Sequence, residues 1–290
     1  MKDGYIDLHV HSKCSDGKWT LEEIINYCKE NNVSVLSFTE HYNLGSYKKA
    51  RLLAGEDIEI IPGIELGTTL NDMGYSKSHV CHILAYYPTY KICKILDEYE
   101  LSRCDCVKKT IKKLNKSIPI SFSDVKKYAR NKNSIGRFDI AIALSKLGYA
   151  SDPISAYGEY LDTGKCYYIE RKKLTTKAII SKIREVHGVP VLAHPKSLKM
   201  NITEMENFLT KLKDYGLEGI EVYNSHHTPE QISLFKEMAE HFNFACTVGS
   251  DFHGRNEDNT KIGFGLENNL MISDYELIKE LKRRHNNIIA

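Results

Sequence analysis

Two histidines stand two positions apart, His9 and His11, in the opening stretch "DLHVHSKCSDG". In an extended chain residues i and i+2 point to the same side, so this pair can present two imidazoles to one metal ion. Asp16, beyond a short turn closed by Gly17, adds an oxygen that can reach a neighbouring ion. The "DFH" of residues 251–253 repeats the device with one oxygen and one nitrogen donor, Asp251 and His253. Between these ends lie His41 in "TEHYN", Glu65 in "PGIEL", His82 in "VCHILAY" and His194 in "VLAHP". Pooled, the set is six histidines and three acids: His9, His11, Asp16, His41, Glu65, His82, His194, Asp251 and His253. Nine nitrogen and oxygen donors exceed what one tetrahedral or octahedral ion needs. They suit two or three ions with positions left for water and substrate, and a set without thiolates is compatible with manganese, iron or zinc. His79 competes with His82 as a donor; His82 is favoured because it lies inside an apolar run, where a polar group needs a partner.

These residues need a scaffold that brings them together. Short apolar, β-branched runs alternate with helical patterns: "YIDLHV", "VSVLSF", "IEIIPGI", "VCHILAY", "VPVLA", "GIEVY" and "FACTVG". That alternation is the signature of βα units and a parallel sheet or barrel. Between the first two runs, "TLEEIINYCKENN" places Leu21, Ile24, Ile25 and Cys28 at helical spacing, with Thr20 and Glu23 arranged as a capping box. "TKAIISKIREVHG" and "TPEQISLFKEMAEHF" read as helices by the same test; His187, His241 and His285 fall in helical segments and receive no role. Each donor lies in a strand or just after its end, and the carboxyl ends of parallel barrel strands form the face where chemistry collects. From about residue 92 to 172 the strand pattern gives way to Lys-rich helical segments. A crossover of that length is better read as an inserted helical subdomain. The expected organisation is a barrel domain over 1–91 and 173–290 with a helical subdomain at 92–172.

Composition narrows the function classes. With 42% hydrophobic and 27% charged residues the 290-residue chain is that of an ordinary globular protein able to bury a sizeable core. A net charge of only +2 gives no global field for long nucleic acid or an anionic membrane, so affinity for phosphate must be local. No run approaches a spanning helix and the start lacks a signal-peptide core, so the protein is expected to be cytoplasmic. The eight cysteines contain no C-x-x-C spacing and are read as reduced thiols; Cys14 and Cys81, near donors in sequence, receive no role.

Taken in order, these motifs resemble the polymerase-and-histidinol-phosphatase (PHP) family of metal-dependent phosphoesterases. "HVHSKCSDG" matches its H-x-H-x-x-x-S-D-G signature, and "TEHYN", "PGIE", "CHILAY", "LAHP" and "GSDFHG" match its later motifs. The resemblance implies an α/β fold, a distorted seven-stranded (β/α) barrel, holding three divalent metal ions (manganese, iron or zinc). It implies that His9, His11, Glu65 and Asp251 hold the first ion, that Glu65 bridges to a second completed by His82 and His194, and that Asp16, His41 and His253 hold the third. The closer likeness is to stand-alone members acting on nucleotides, nucleotide phosphatases and a 5'-3' exoribonuclease. It rests on "GRFDIAIALSKLGYA", "TGKCYYI" and "GIEVYNSHHTPEQ", and implies that Arg137, Lys165 and His227 bind the substrate phosphate. The expected reaction is hydrolysis of a phosphomonoester, of a nucleotide or short oligonucleotide, by a metal-bound hydroxide at the trinuclear site. Glu65, His194 and His253 are the expected catalytic residues, with metal-bound water, His194 or His253 as the source of the leaving-group proton.

Two departures from the family pattern bear on the substrate. Glu40 replaces the usual aspartate of T-D-H beside His41, and Asp139 stands where relatives carry a histidine in "GRPH". An anionic Asp139 would repel phosphate unless turned away or paired. The competing readings are a histidinol-phosphate phosphatase, disfavoured by the insertion with Arg137 and Lys165, and a degenerate binding or regulatory module, disfavoured by the intact donor set. The basic helix "VKKTIKKLN" reads as a solvated face, with oligonucleotide contact as its alternative. Expected partners are small phosphorylated substrates, with no membrane and no long nucleic acid.

Overall fold

In the computed structural model the structure describes residues 4–70, 73–75, 80–130, 135–170, 174–255 and 259–290. The chain divides into two compact units, Met1–Cys93 with Leu174–Ala290, and Lys94–Lys173. Chain order begins with β1 (Tyr5–Val10), α1 (Leu21–Glu30), β2 (Val33–Phe38), α2 (Ser46–Ala54), β3 (Glu59–Ile60), β4 (Gly63–Thr69) and β5 (Val80–Tyr86). The helices α3 (Ile92–Leu114), α4 (Phe122–Tyr128), α5 (Arg137–Lys146) and α6 (Pro153–Ala156) follow. The chain then runs through α7 (Thr176–Glu185), β6 (Val189–Leu192), α8 (Ile202–Asp214), β7 (Gly219–Asn224), α9 (Pro229–His241), β8 (Ala245–Gly249) and α10 (Glu276–Ile289).

The fold is mixed α/β, but its strands pair as two sheets rather than as one closed cylinder. A three-stranded sheet runs β1-β2-β3, all parallel, and a five-stranded sheet runs β4-β5-β6-β7-β8. In the second sheet β5 is antiparallel to both β4 and β6, whereas β6, β7 and β8 are parallel. The regular βα alternation expected from the sequence therefore fails at β5. The link from Thr69 to Val80 is too short for a helical crossover, which takes a dozen residues or more, so the strand returns antiparallel. The run "IEIIPGI" also divides, β3 ending the first sheet and β4 opening the second, with Pro62 between them. Gly63 is required there, because a Cβ would fall 2.2 Å from Ser37 Oγ. Isolated parallel bridges, Val10 to Phe252 and His41 to Glu65, link the two sheets.

Local chemistry sets the helices that flank these sheets. At the start of α1, Thr20 Oγ1 accepts from Glu23 N at 3.2 Å and Glu23 Oε2 accepts from Thr20 N at 2.6 Å, the reciprocal box expected from the sequence. The face Leu21, Ile24, Ile25 and Cys28 is buried against Leu36, Phe38 and α2. One correction concerns α7, which ends at Glu185, so that His187 lies beyond it in a left-handed turn with φ 62°. A second apolar cluster gathers Ile6, Leu8, Val35, Leu84, Tyr86, Val189, Val191 and Val248 with Ile278 and Leu281 of α10. Each fully buried aliphatic side chain contributes about 1.5–3 kcal/mol. Burial of that kind offsets the several kcal/mol that each buried carboxylate costs.

The helical unit has its own core, built from Val107, Ile111, Leu114, Val125, Ile140 and Leu144. Among the described residues no helix is long and apolar enough to cross a membrane.

Candidate metal centre

All nine donors named from the sequence gather in the first unit. His9 belongs to β1 and His11 follows it, Asp16 and His41 lie in the loops after β1 and β2, and Glu65 is in β4. His194 follows β6, and Asp251 and His253 follow β8. His82 comes from near the start of the antiparallel β5 rather than from a strand's carboxyl end. His79, its competitor, lies outside the described residues.

Glu65 stands at the middle of this set. Its Oε2 lies 3.1 Å from His41 Nδ1, 3.2 Å from His11 Nε2 and 3.5 Å from His9 Nε2. Its Oε1 lies 2.8 Å from His82 Nδ1 and 3.1 Å from His194 Nε2. Asp251 Oδ1 is 3.4 Å from both His9 Nε2 and His11 Nε2. Asp16 Oδ1 is 3.3 Å from His253 Nε2 and 3.8 Å from His41 Nε2. Three combinations bring one donor atom from each residue within 4.8 Å of the others: His11–Asp16–His41–His253, His9–His11–Asp251, and His9–Glu65–His194.

The residues fit divalent ions on two grounds. First, His9 Nε2, His11 Nε2 and Asp16 Oδ1 are buried and have no hydrogen-bond partner among the described residues, although they converge on one another. Buried polar atoms of native proteins are otherwise nearly always satisfied. Second, the electrostatics call for positive charge. Burial opposes charge on His9 and His11, yet Glu221, Asp251 and Glu65 hold His9 well above the ordinary imidazole range, and Asp251 and Glu65 push His11 up to about 10. Burial also acts against Glu65, Asp16 and Asp251, and the facing imidazoles nevertheless hold all three below the usual carboxylate range. His41 moves the other way, down to about 4, through burial and the charge of His11 and His82, against the attraction of Glu65. The acids thus draw protons onto His9, His11 and His194, and a divalent cation would satisfy the same acids while leaving the imidazoles neutral as donors.

Strain marks the same place. His194 has φ 25° and ψ 65°, and Asp251 has φ 57°, both on the positive side that non-glycine residues avoid. Such conformations cost about 1–3 kcal/mol each and collect at functional sites.

Sequence reasoning missed the groups that brace the donors. Glu221, in the centre of β7, is fully buried and receives His9 Nδ1 at 2.9 Å and the His194 backbone N–H at 2.7 Å. Its signal was legible: an acid inside the apolar run "GIEVY" needs a partner. Asp7, also fully buried, accepts backbone N–H groups from His9, Ser250 and Gly263, and burial raises it to about 6. Arg255 Nη2 lies 3.1 Å from Asp16 Oδ2. Glu40, the departure beside His41, has a concrete use. It accepts from Ser12 N at 3.2 Å and from the hydroxyls of Ser12 and Ser15, so its longer side chain ties down the loop that carries Asp16.

The three residues expected to bind phosphate are placed differently from one another. His227 is 3% exposed and donates Nδ1–H to Val222 O at 2.9 Å; its Nε2 is buried and has no partner among the described residues. Arg137 and Lys165 belong to the helical unit. Arg137 Nη2 donates to Ile169 O at 2.6 Å and its guanidinium lies 4.4 Å from the centre of the Tyr168 ring, whereas Lys165 is exposed. Asp139 is 1% exposed, accepting from Gly136 N at 2.7 Å and Arg130 Nε at 3.1 Å as the third residue of α5. It is paired and turned inward, which removes the repulsion feared from its type.

Beside the cluster opens a cavity of about 870 Å³, lined by residues of the first unit. Its polar lining includes Asp16, His41, Glu65, His82, His194 and His253, and its apolar lining includes Met200, Ile202, Met205, Leu234 and Phe235. Lys196, Lys199 and Arg255 also line it. Among the described residues no cysteine enters the donor groups, and all eight cysteines are free thiols.

The PHP domain matches residues 7–161, more than half of the chain. The chain belongs to the PHP domain family. It is a metal-dependent phosphoric ester hydrolase of that family, and the PHP relatives are those to which its motifs pointed. A 5'-3' exoribonuclease of Haemophilus influenzae is 26% identical over 85% of this chain and 89% of its own length. A 3',5'-nucleoside bisphosphate phosphatase of Chromobacterium violaceum is 26% identical over 89% of this chain and 90% of its own. The solved structure of an amidohydrolase from Chromobacterium violaceum, with bound sulfate and no metal, shares the fold at a TM-score of 0.72 and 24% identity, covering 96% of this chain and 97% of its own.

Proposed function

We propose that this PHP protein hydrolyses a phosphomonoester of a nucleotide or short oligonucleotide with three divalent ions, manganese, iron or zinc. The observation that carries the reading is Glu65, a buried carboxylate whose two oxygens face five imidazoles. In this reading His9, His11, Glu65 and Asp251 would hold one ion, Glu65, His82 and His194 a second, and Asp16, His41 and His253 the third. When bound, such ions supply Lewis acidity toward phosphoryl oxygens and bring the pKa of a bound water near 7.

The chain's own groups then divide the remaining work. Arg137, Lys165 and His227 are assigned to the substrate phosphate by their motif likeness, and Lys196, Lys199 and Arg255 add positive charge around the cavity. The apolar lining of Met200, Ile202, Met205, Leu234 and Phe235 takes the uncharged body of the ester, which suits a nucleobase better than a small polyol. His194, whose Nδ1 lies 2.9 Å from Ser197 Oγ, is one candidate source of the departing alcohol's proton. His253, whose Nδ1–H is held by Asp251 O at 2.8 Å, is the other candidate. As architecture we take the two sheets to be a distorted seven-stranded barrel with a helical subdomain inserted at residues 92–172; the bridges at Val10–Phe252 and His41–Glu65 support closure at both seams.

The test is phosphate release by manganese-reconstituted protein from nucleoside 5'-monophosphates, 3',5'-bisphosphonucleotides, histidinol phosphate and an aryl phosphate, with short 5'-phosphorylated RNA followed on a gel. Preference for a nucleotide or RNA is expected. Preference for histidinol phosphate, or no turnover with metals bound, overturns the substrate assignment.

A further inference from the structure

We propose that Glu221 is a positioning residue for the metal centre, choosing which nitrogen His9 turns toward the ions and holding the His194 peptide in its strained turn. The inference rests on the metal-site reading above and adds a group outside the nine donors. Glu221 sits between Ile220 and Val222, both fully buried, so its carboxylate points to the face of β7 opposite theirs. Oε1 lies 2.9 Å from His9 Nδ1, and Oε2 accepts from His194 N at 2.7 Å and from Asn224 Nδ2 at 3.1 Å. Both oxygens are engaged, and the groups they engage come from β1 and from the segment after β6. Residue 249 is glycine where this contact forms; a Cβ there would fall 2.2 Å from His9 Cβ and 2.5 Å from Glu221 Oε1.

The consequence for His9 follows from where the acids lie. Its Nε2 faces Glu65 Oε2 at 3.5 Å and Asp251 Oδ1 at 3.4 Å. With no acceptor at Nδ1, a neutral His9 would carry its single proton on Nε2, directed at those carboxylates, and the donor atom would be blocked. Glu221 supplies the acceptor at Nδ1 and leaves the Nε2 lone pair facing the cluster. A carboxylate on the far nitrogen of a metal-binding imidazole also raises its basicity and fixes its plane. The second oxygen carries the same control to His194, whose φ of 25° is held through its own N–H. One side chain thereby sets two donors, and both belong to the combination His9–Glu65–His194.

Glutamine is the informative replacement. Its one acceptor oxygen can serve His9 or His194 but not both. If the oxygen faces His194 N–H, the amide NH2 faces His9 Nδ1 and drives the proton to Nε2. If it faces His9, two donors oppose each other at His194. E221Q is therefore expected to bind manganese or zinc about 10–100-fold more weakly than the natural protein, the range seen when the outer partner of a metal-binding histidine is removed. Metal-free E221Q should keep the far-UV circular dichroism of the natural protein.

The experiment titrates metal-free natural protein, E221Q and E221D with manganese and zinc and counts bound ions by mass spectrometry. E221D keeps the charge and is expected to fall between the other two. Equal affinity and ion count in the natural protein and E221Q overturn the proposal; failure of the natural protein to bind either metal overturns the site reading instead. Histidine 15N shifts of the zinc-loaded natural protein give a check that needs no variant. A His9 proton on Nδ1 is expected, and a proton on Nε2 refutes the assignment.

Discussion

Replacing Glu65 by glutamine changes one oxygen for one NH2 at nearly constant volume, yet the geometry makes the change severe. The two carboxylate oxygens serve opposite sides, Oε1 toward His82 and His194, Oε2 toward His9, His11 and His41. An amide nitrogen donates and cannot coordinate, so whichever side it faces loses its oxygen donor, and both sides lose the charge. Of the three ions proposed, the two that would share Glu65 are expected to be lost and the one near Asp16 and His253 retained at reduced affinity. The Lewis acidity given up is worth several kcal/mol; at about 4 kcal/mol the loss in turnover is about 10³-fold. Metal analysis of E65Q after reconstitution, with steady-state rates on the best substrate, measures both quantities. The metal-free forms of E65Q and natural protein should melt within a few degrees of each other, separating this effect from misfolding. Full ion content with activity within threefold of the natural protein would refute the reasoning.

Other expected outcomes follow from particular groups. His11 is raised in the folded protein to about 10 from an ordinary 6.5, so its charge contributes stability that is fully present below about pH 6.5 and lost as pH rises toward 10. Metal binding replaces that proton, so the melting-temperature gap between metal-loaded and metal-free protein should widen from about pH 6.5 to about pH 9; a constant gap contradicts this. Asp139→Ala removes a buried acceptor that caps α5, and should lower the urea stability of the protein by about 1–3 kcal/mol. Unchanged stability would place Asp139 outside the helix start. Ile202 is 56% exposed and belongs to the apolar lining of the cavity, so Ile202→Asp should leave folding intact and raise the KM for nucleotides by about fivefold, equivalent to about 1 kcal/mol of apolar contact. An equal change for inorganic-like small phosphoesters would argue against a base-binding lining.

That these nine side chains would meet was legible because each lies in a strand or in the segment that follows one, where i, i+2 spacing and the break from apolar to polar are local signals. His9 with His11, and Asp251 with His253, are the clearest instances. Strand direction was not legible. Whether β5 returns parallel or antiparallel depends on the length and path of the link from Thr69 to Val80, and "VCHILAY" reads the same in either sense. Pro62 and Gly63 were visible as residues, but their effect, dividing one apolar run between two sheets, required knowing that Ser37 packs against position 63. Glu221 could have been found by asking what satisfies an acid inside "GIEVY". Its partners lie 212 residues away at His9 and 27 away at His194, so no local rule names them. Which branch of the condition on Asp139 would hold, free or paired, was hidden for a related reason. Its type suggested repulsion of phosphate, while its position three residues after Gly136 made it the acceptor for the first turn of α5.

The most direct test of the central claim is a metal count on the purified protein, stripped and then reconstituted with manganese, paired with phosphate release from a nucleotide before and after stripping. Two or three ions per chain are expected, with turnover lost on stripping and restored on reconstitution. One ion or none, or turnover unaffected by stripping, would contradict a centre built on Glu65.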